Sequence, residues 1–383
     1  MLVLVIADNL FKIEVCLKIG IIFPKDSEAL FNVNSQRPYG GANIQLFQIA
    51  RQMLSNKDIK LFSLITDYDI VQFPESHKFN IVRTFKESDS FIKKIIKTHK
   101  IIKENKIDYL IQRGLTFESC LMAFYCYLFK IKFIFMFAHD IETLGRYQSN
   151  RNKCMVFNIL LTFSHKLIVQ NRLQYNNISN KTNKSKISII KKGLDLNKIK
   201  SLSTNLEKEF DCIWIARCDE WKNPEDYIRL AEVHKDRKFL MIAPPAIGKE
   251  AYYNSLIEKI RSVKNIVYYD FVDNDKIYEL LIKSKVFCIT SDIEGDWPMV
   301  VLEAAAVGVP ILSLKINYDD LIDTYSGGIY CDSDINVLME KFKLLVSDSE
   351  LNRNLSENAV RFIYENHDIV ENVKKLVKEI SAK

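Results

Sequence analysis

Several familiar signatures are missing from this chain of 383 residues. Its eight cysteines include no C-x-x-C pair, and the five-residue gaps of Cys120/Cys126 and Cys212/Cys218 fit no zinc pattern. They read as reduced, mostly buried thiols of a cytosolic protein. No two of the six histidines have metal-site spacing, so no metal site is expected. No apolar run reaches the roughly 20 residues of a transmembrane helix. The most apolar stretch, Cys120–Ala138, is broken by Lys130 and Lys132. The start, Met1–Ala7, is short and lacks the basic flank of a signal peptide. There is no low-complexity tract and no short-period repeat. No G-x-G-x-x-G follows the first strand, which disfavours a nicotinamide dehydrogenase. The aromatic residues follow core periodicity and form no base-stacking platform, and no nucleic-acid module surrounds the basic charge.

What remains is a composition of 48% apolar and 27% charged residues, that of a soluble globular protein long enough for two cores. Charge is uneven. Residues 1–195 hold 29 Lys+Arg and 16 Asp+Glu, a balance of +13, and the rest carries −7. A basic half joined to an acidic one suggests a split of roles. The basic half could face an anionic acceptor or an anionic membrane surface, or it could simply carry solvated lysines. The helix predicted over Asp89–Glu104 poses the same choice. Lys93, Lys97, Lys100 and Lys103 share one face, with Phe91, Ile92, Ile95, Ile96 and Ile102 expected on the other.

Apolar runs alternate with segments of helical period, the mark of doubly wound α/β domains with parallel sheets. The first series begins at the strand Lys18–Pro24 and ends at Ile187–Ile190; residues 1–17 have no clear assignment. A polar stretch, Lys192–Lys208, reads as a linker. A second series then runs from Cys212–Ala216 to Gly328–Tyr330. The expected division is 1–191, the linker 192–208, 209–350, and C-terminal helices over 351–383.

The most informative segment is Ser291–Pro310. An apolar strand, Val286–Thr290, runs into an acidic, glycine-bearing turn and then a small-residue helix, Met299–Val307, stopped by Gly308 and Pro310. The carboxyl ends of strands are where open α/β sheets bind ligands. A helix start there offers free N–H groups and a positive dipole end to an anion. Glu294 stands in the turn and Glu303 one helical turn inside. Two carboxylates beside an anion site suit a ligand with both phosphate and hydroxyls, such as a sugar nucleotide. Arg217, directly after a strand, and Lys222, five residues on, can clamp a diphosphate and stabilise the charge that grows as it leaves.

These stretches resemble GT-B glycosyltransferases of the large retaining group called family 4. The resemblance rests on Tyr39-Gly40-Gly41-Ala42, on Ile215-Ala216-Arg217 through Lys222, on Glu294–Glu303, and on Gly308-Val309-Pro310. Ala138-His139-Asp140 and Lys192-Gly193-Leu194-Asp195 resemble weaker family features. The resemblance implies two Rossmann-like domains facing a cleft, with C-terminal helices crossing back to the first. It further implies a nucleoside diphosphate sugar as donor substrate, a saccharide or lipid-linked acceptor, and no cofactor or metal. Surface-polysaccharide or glycoconjugate assembly at the inner face of the plasma membrane is the setting it suggests.

By the same resemblance Glu303 would hold the ribose hydroxyls. Arg217 and Lys222 would hold the diphosphate, with the backbone N–H groups of Met299 and Val300. Glu294 would hold hydroxyls of the donor sugar. Gly41 would admit the first domain's backbone to the phosphate, the backbone near Val272 would meet the base, and His139 would lie near the reacting sugar. One departure stands out. The family places seven residues between its two glutamates, whereas eight separate Glu294 from Glu303, with Asp296-Trp297 in the space of one aromatic residue. Either the loop bulges and Glu294 keeps its role, or Asp296 takes part of it. Another GT-B enzyme, such as a sugar-nucleotide epimerase, and a non-catalytic GT-B-like scaffold are the alternative readings.

Overall fold

The computed structural model describes residues 16–35, 40–67, 71–86, 88–144, 151–203, 206–246, 248–318 and 320–382. The first fifteen residues and Tyr39 lie outside them.

The first half builds a sheet of seven parallel strands: β1 (Leu17–Ile22), β2 (Ile59–Ile65), β3 (Ile81–Arg83), β4 (Tyr109–Arg113), β5 (Lys132–Met136), β6 (Lys166–Val169) and β7 (Ile187–Ile189). Their order is β3-β2-β1-β4-β5-β6-β7. The helices between them are α1 (Glu28–Phe31), α2 (Gly41–Met53), α3 (Phe91–Asn105), α4 (Phe117–Leu128), α5 (Asp140–Thr143), α6 (Arg151–Phe163) and α7 (Arg172–Ser179). Strands covered on both faces need apolar residues at nearly every position, hence runs such as Leu-Lys-Ile-Gly-Ile-Ile. The period of two then divides them. Ile19, Ile21, Leu61 and Ile111 pack under α2, through Leu46, Ile49 and Met53. Phe62, Leu110, Phe133 and Phe135 pack under α4 and α6, through Ala123, Cys126 and Leu160.

The second half repeats the plan with six parallel strands: β8 (Phe210–Ile215), β9 (Phe239–Ile242), β10 (Ile266–Tyr269), β11 (Ser284–Ile289), β12 (Ile311–Ser313) and β13 (Gly328–Tyr330), ordered β10-β9-β8-β11-β12-β13. Before it lies α8 (Leu196–Lys200). Between and after the strands come α9 (Pro224–Val233), α10 (Glu250–Ser262), α11 (Asn274–Ile282), α12 (Met299–Ala306), α13 (Asp320–Asp323), α14 (Ile335–Ser347), α15 (Ser349–Asn366) and α16 (Ile369–Ser381). This is the expected α/β architecture of two Rossmann-like doubly wound sheets. In each, strand order reverses at one point, β1/β4 in the first and β8/β11 in the second, and the crevice there opens at the carboxyl edge.

The last helix belongs by packing to the first sheet. Ile369, Val373, Leu376 and Ile380 recur at helical spacing on α16 and join the core around Ile49 and Met53. Backbone bonds fix its start, with the Leu194 N–H donating to the His367 carbonyl at 2.7 Å and the Ile369 N–H to the Leu194 carbonyl at 3.0 Å.

Two details differ from the sequence reading. Residues 192–208 carry the short helix α8, capped by Asp195, whose side chain accepts the Lys198 N–H at 3.1 Å. Leu194, Leu196 and Ile199 are buried in the second core, so this stretch is held by packing despite its polar composition. On α3, Ile95 and Ile96 are exposed, while Thr98 and Ile102 face inward. Ile95 and Thr98 line a cavity there rather than a filled core, and Ile96 is turned to solvent.

Candidate functional site

The loops after β8 and β11 are stitched together. The Trp214 indole N–H donates to Thr290 Oγ1 at 2.9 Å, and Thr290 Oγ1 donates to the Lys222 carbonyl at 2.7 Å. The Asp292 N–H donates to the Trp221 carbonyl at 2.9 Å. Lys222 ends a single 3-10 turn, Glu220–Lys222, and Asn223 follows in the left-handed region at φ 47°. That geometry turns the lysine inward, over the Trp221 ring at 4.0 Å, where its Nζ meets Glu294 Oε1 in a buried ion pair. Burial draws the Lys222 pKa down, and Glu294 opposes the shift. Arg217 adds a second cation close enough to depress Lys222 further. Its own side chain is 56% exposed and 3.5 Å from Asp219.

The glutamate loop is braced from behind. The Tyr318 hydroxyl donates to the Glu294 carbonyl and accepts the Glu294 N–H at 3.2 Å. The Trp297 indole N–H donates to the Tyr318 carbonyl at 2.6 Å, and the Trp297 ring is buried. The extra residue of this loop is accommodated at Asp296, whose φ of 142° is costly for a residue with a side chain. Glu294 thus faces Lys222, while Asp296 is buried with its carboxylate 3.7 Å from Lys192 Nζ.

α12 starts at Met299 behind Pro298, and α2 starts at Gly41 behind Gly40; no side chain caps either start. A Cβ on Gly41 would lie 3.7 Å from Met299 Cγ, so the two helix starts face each other across the gap between the sheets. Both present unsatisfied N–H groups and positive dipole ends. Val300 is half-buried at the same start. Glu303, one turn in, accepts the Tyr278 hydroxyl at 3.4 Å. Burial pushes its pKa up to about 7, with Tyr278 and Lys198 pulling the other way. Val272 is half-buried between β10 and α11, packed on the same core as Tyr278.

From the first sheet, His139 follows β5 and caps α5, its Nδ1 accepting the Ile141 N–H at 3.1 Å. That bond assigns the proton of the neutral ring to Nε2. Burial lowers its pKa, opposed by Asp140 and Glu294. The ring lies against Gly295, where an added Cβ would come within 2.8 Å of His139 Cα.

The structure therefore joins Lys222 with Glu294, sets Arg217 beside them, and brings Gly41 to Met299 and His139 to Gly295. Glu303 and Val272 form a separate group around Tyr278. A buried polar network of the first half reaches the second through Gln174 and Lys192. Asp140 accepts from Gln174 Nε2 at 2.8 Å and from Asn171 Nδ2 at 3.2 Å. Gln174 Nε2 also reaches the Gly295 carbonyl at 3.1 Å. Lys192 Nζ donates to the Trp297 carbonyl at 2.9 Å. Buried Arg113 donates to Gln170 Oε1 at 2.9 Å, and burial lowers its pKa to about 10 against the pull of Glu142 and Asp296. Arg113, Asp140 and Lys192 stand at or just past the carboxyl end of an apolar strand, the one signal that could have marked them, and Gln174 lies in the helix after β6. Among the described residues no group of three or more His, Cys, Asp or Glu side chains is arranged to hold a metal ion, and no helix is long and apolar enough to cross a membrane.

Residues 197–362 match the family described as Glycosyl transferases group 1. An uncharacterized glycosyltransferase of Methanocaldococcus jannaschii is 25% identical over 217 residues, 53% of each chain, so the match spans about half the length of that relative. Among solved structures, sucrose-phosphate synthase from Thermosynechococcus elongatus superposes with a TM-score of 0.74 at 13% identity, covering 94% of this chain and 98% of its own. Anabaena HepE, crystallised with UDP and glucose, gives 0.73 at 15% identity, covering 96% and 100%. Residues 197–362 are thus similar to the glycosyl transferases group 1 family, and the chain as a whole takes the GT-B fold.

Proposed function

We propose that this chain is a retaining glycosyltransferase that moves a sugar from a nucleoside diphosphate sugar to a saccharide or lipid-linked acceptor in surface-polysaccharide or glycoconjugate assembly. The observation that carries the reading is the buried Lys222–Glu294 pair, formed by the loop that runs on into α12, whose uncapped start faces the uncapped start of α2. A cation and two sets of free N–H groups suit a diphosphate. A carboxylate on that cation suits the hydroxyls of the attached sugar. HepE, of the same fold, was crystallised with UDP and glucose, which makes UDP-sugars the first donors to try.

In the proposed reaction the anomeric carbon–oxygen bond to the diphosphate breaks, and a bond to an acceptor hydroxyl oxygen forms on the same face. The hydroxyl proton passes to the departing phosphate oxygen. Glu294 is engaged with Lys222 and is not offered as a nucleophile. Lys222, Arg217 and the N–H groups of Met299 and Val300 meet the charge that develops on the leaving diphosphate. Glu303 accepts from the ribose hydroxyls, Val272 lies beside the base, and Gly41 leaves room for the phosphate under α2. Neutral His139 offers its Nε2–H near the sugar. No step is assigned to a metal ion. A thermal-shift panel of UDP-, GDP-, ADP- and CMP-sugars, followed by donor hydrolysis assays on any hit, tests this reading. No stabilisation by any of them would remove it.

A further inference from the structure

A second site lies in the first sheet. A cavity of about 430 Å³ opens between α3 and α4 at the carboxyl ends of β1, β2 and β4. It is far larger than a packing defect, since core voids seldom exceed a water molecule, and it falls within the ~300–1,000 Å³ of small-molecule sites. It borders the point where strand order reverses, where doubly wound sheets take ligands.

Its chemistry selects the occupant. The walls are mostly apolar, from Ile22, Phe23 and Leu64 on the sheet side to Leu121, Met122 and Leu128 on α4, with three threonines and Glu118 also in the lining. Within this lining Gln112 Oε1 is buried and has no hydrogen-bond partner, an acceptor awaiting a hydroxyl. Gln112 stands near the carboxyl end of β4, the edge at which the crevice of this sheet opens, whereas the next residue, Arg113, points to the opposite face. The opposite rim is apolar and exposed: Ile95 at 38%, Phe124 at 41% and Leu128 at 58%. Lys94 of α3 stands in the lining, its Nζ 5.3 Å from the Phe85 ring centroid, while exposed Lys93, Lys100 and Lys103 lie on the far side of that helix. An exposed apolar rim beside a lysine suits the interface of an anionic bilayer.

We propose that this cavity holds the aliphatic chain of a lipid-linked acceptor, with the first hydroxyl of its head group donating to Gln112 Oε1 and the saccharide directed to the cleft. The assignment of the occupant as an acceptor rests on the transferase reading; the capture of an aliphatic chain does not.

The test is isothermal titration of the full chain with hexyl, octyl, decyl and dodecyl β-glucosides, each below its micelle concentration. Affinity should rise about fourfold per methylene until the cavity is filled, the factor that corresponds to about 0.8 kcal/mol per buried CH₂. Leu121→Trp and Met122→Phe, which fill the cavity, should each flatten the series, with thermal unfolding confirming that at least one is folded. Stabilisation of those variants by the nucleotide sugars is measured separately. If it survives while the chain-length dependence is lost, both readings stand. If no nucleotide sugar binds yet the dependence is present, the cavity stands and the transferase falls. A flat series in the wild type, or the same slope in a folded filled variant, overturns the proposal.

Discussion

Gly295 and His139 meet so closely that a methyl group on Gly295 would lie 2.8 Å from His139 Cα and 2.9 Å from two atoms of its ring. The contact joins the carboxyl edge of the first sheet to the glutamate loop of the second. Because one obstructing atom is backbone, Gly295→Ala cannot be absorbed by a rotamer change. We expect it to cost about 1–3 kcal/mol, the range for overpacking, and to lower transfer at least tenfold by displacing Glu294. Thermal unfolding with parallel turnover assays checks this; unchanged values in both would mean that the two edges do not touch in solution.

How far this site could be read from sequence follows from the distance over which each signal acts. Strand–helix alternation is local, so both sheets were legible, as was the exposed helix start after Pro298. Glu294 and Lys222 were recognisable as candidates, but their pairing depends on Thr290 and Trp214 bracing two loops 72 residues apart. The burial of Lys192 and Asp296 was not legible, since both lie in stretches of polar composition and meet only when the halves are assembled. The exposure of Ile95 was hidden because it borders a cavity, which periodicity cannot distinguish from a core.

Lys222 and Glu294 are each less than a tenth exposed, which makes their energetics asymmetric. Lys222→Met leaves a buried carboxylate without its partner and should destabilise the fold by about 3–5 kcal/mol. Glu294→Gln strands the ammonium and should also cost stability. The double variant Lys222→Met/Glu294→Gln removes both charges and should recover part of the loss. Urea denaturation of the four proteins measures the coupling. Strictly additive losses would show that the pair is not formed.

Glu303 gives a pH signature. Its pKa, raised to about 7 from the ordinary 4.5, means that the folded protein holds a proton that the unfolded chain has released between those values. The sign follows: this carboxyl's contribution to stability is full below about 4.5 and declines as pH rises to about 7. Glu303→Gln should therefore be more stable than wild type at pH 8 and lose that advantage at pH 4. Donor affinity should move the other way, rising through pH 7 as the carboxylate ionises and accepts from the ribose hydroxyls, and Glu303→Gln should abolish that rise. Thermal melts across pH 4–8.5 and donor titrations across pH 5–8.5 check both; a parallel pH profile in the variant would assign the effect elsewhere.

The central claim is that a diphosphate binds where Lys222 meets the starts of α12 and α2. Its most direct test is titration of the wild type and Lys222→Ala with whichever nucleotide sugar stabilises the protein. Charge-assisted hydrogen bonds contribute about 1.5–3 kcal/mol, so the account predicts at least a tenfold loss of affinity for the nucleotide sugar and a smaller loss for the nucleoside lacking its phosphates. Equal affinities of a folded Lys222→Ala and the wild type for the same nucleotide sugar would contradict it.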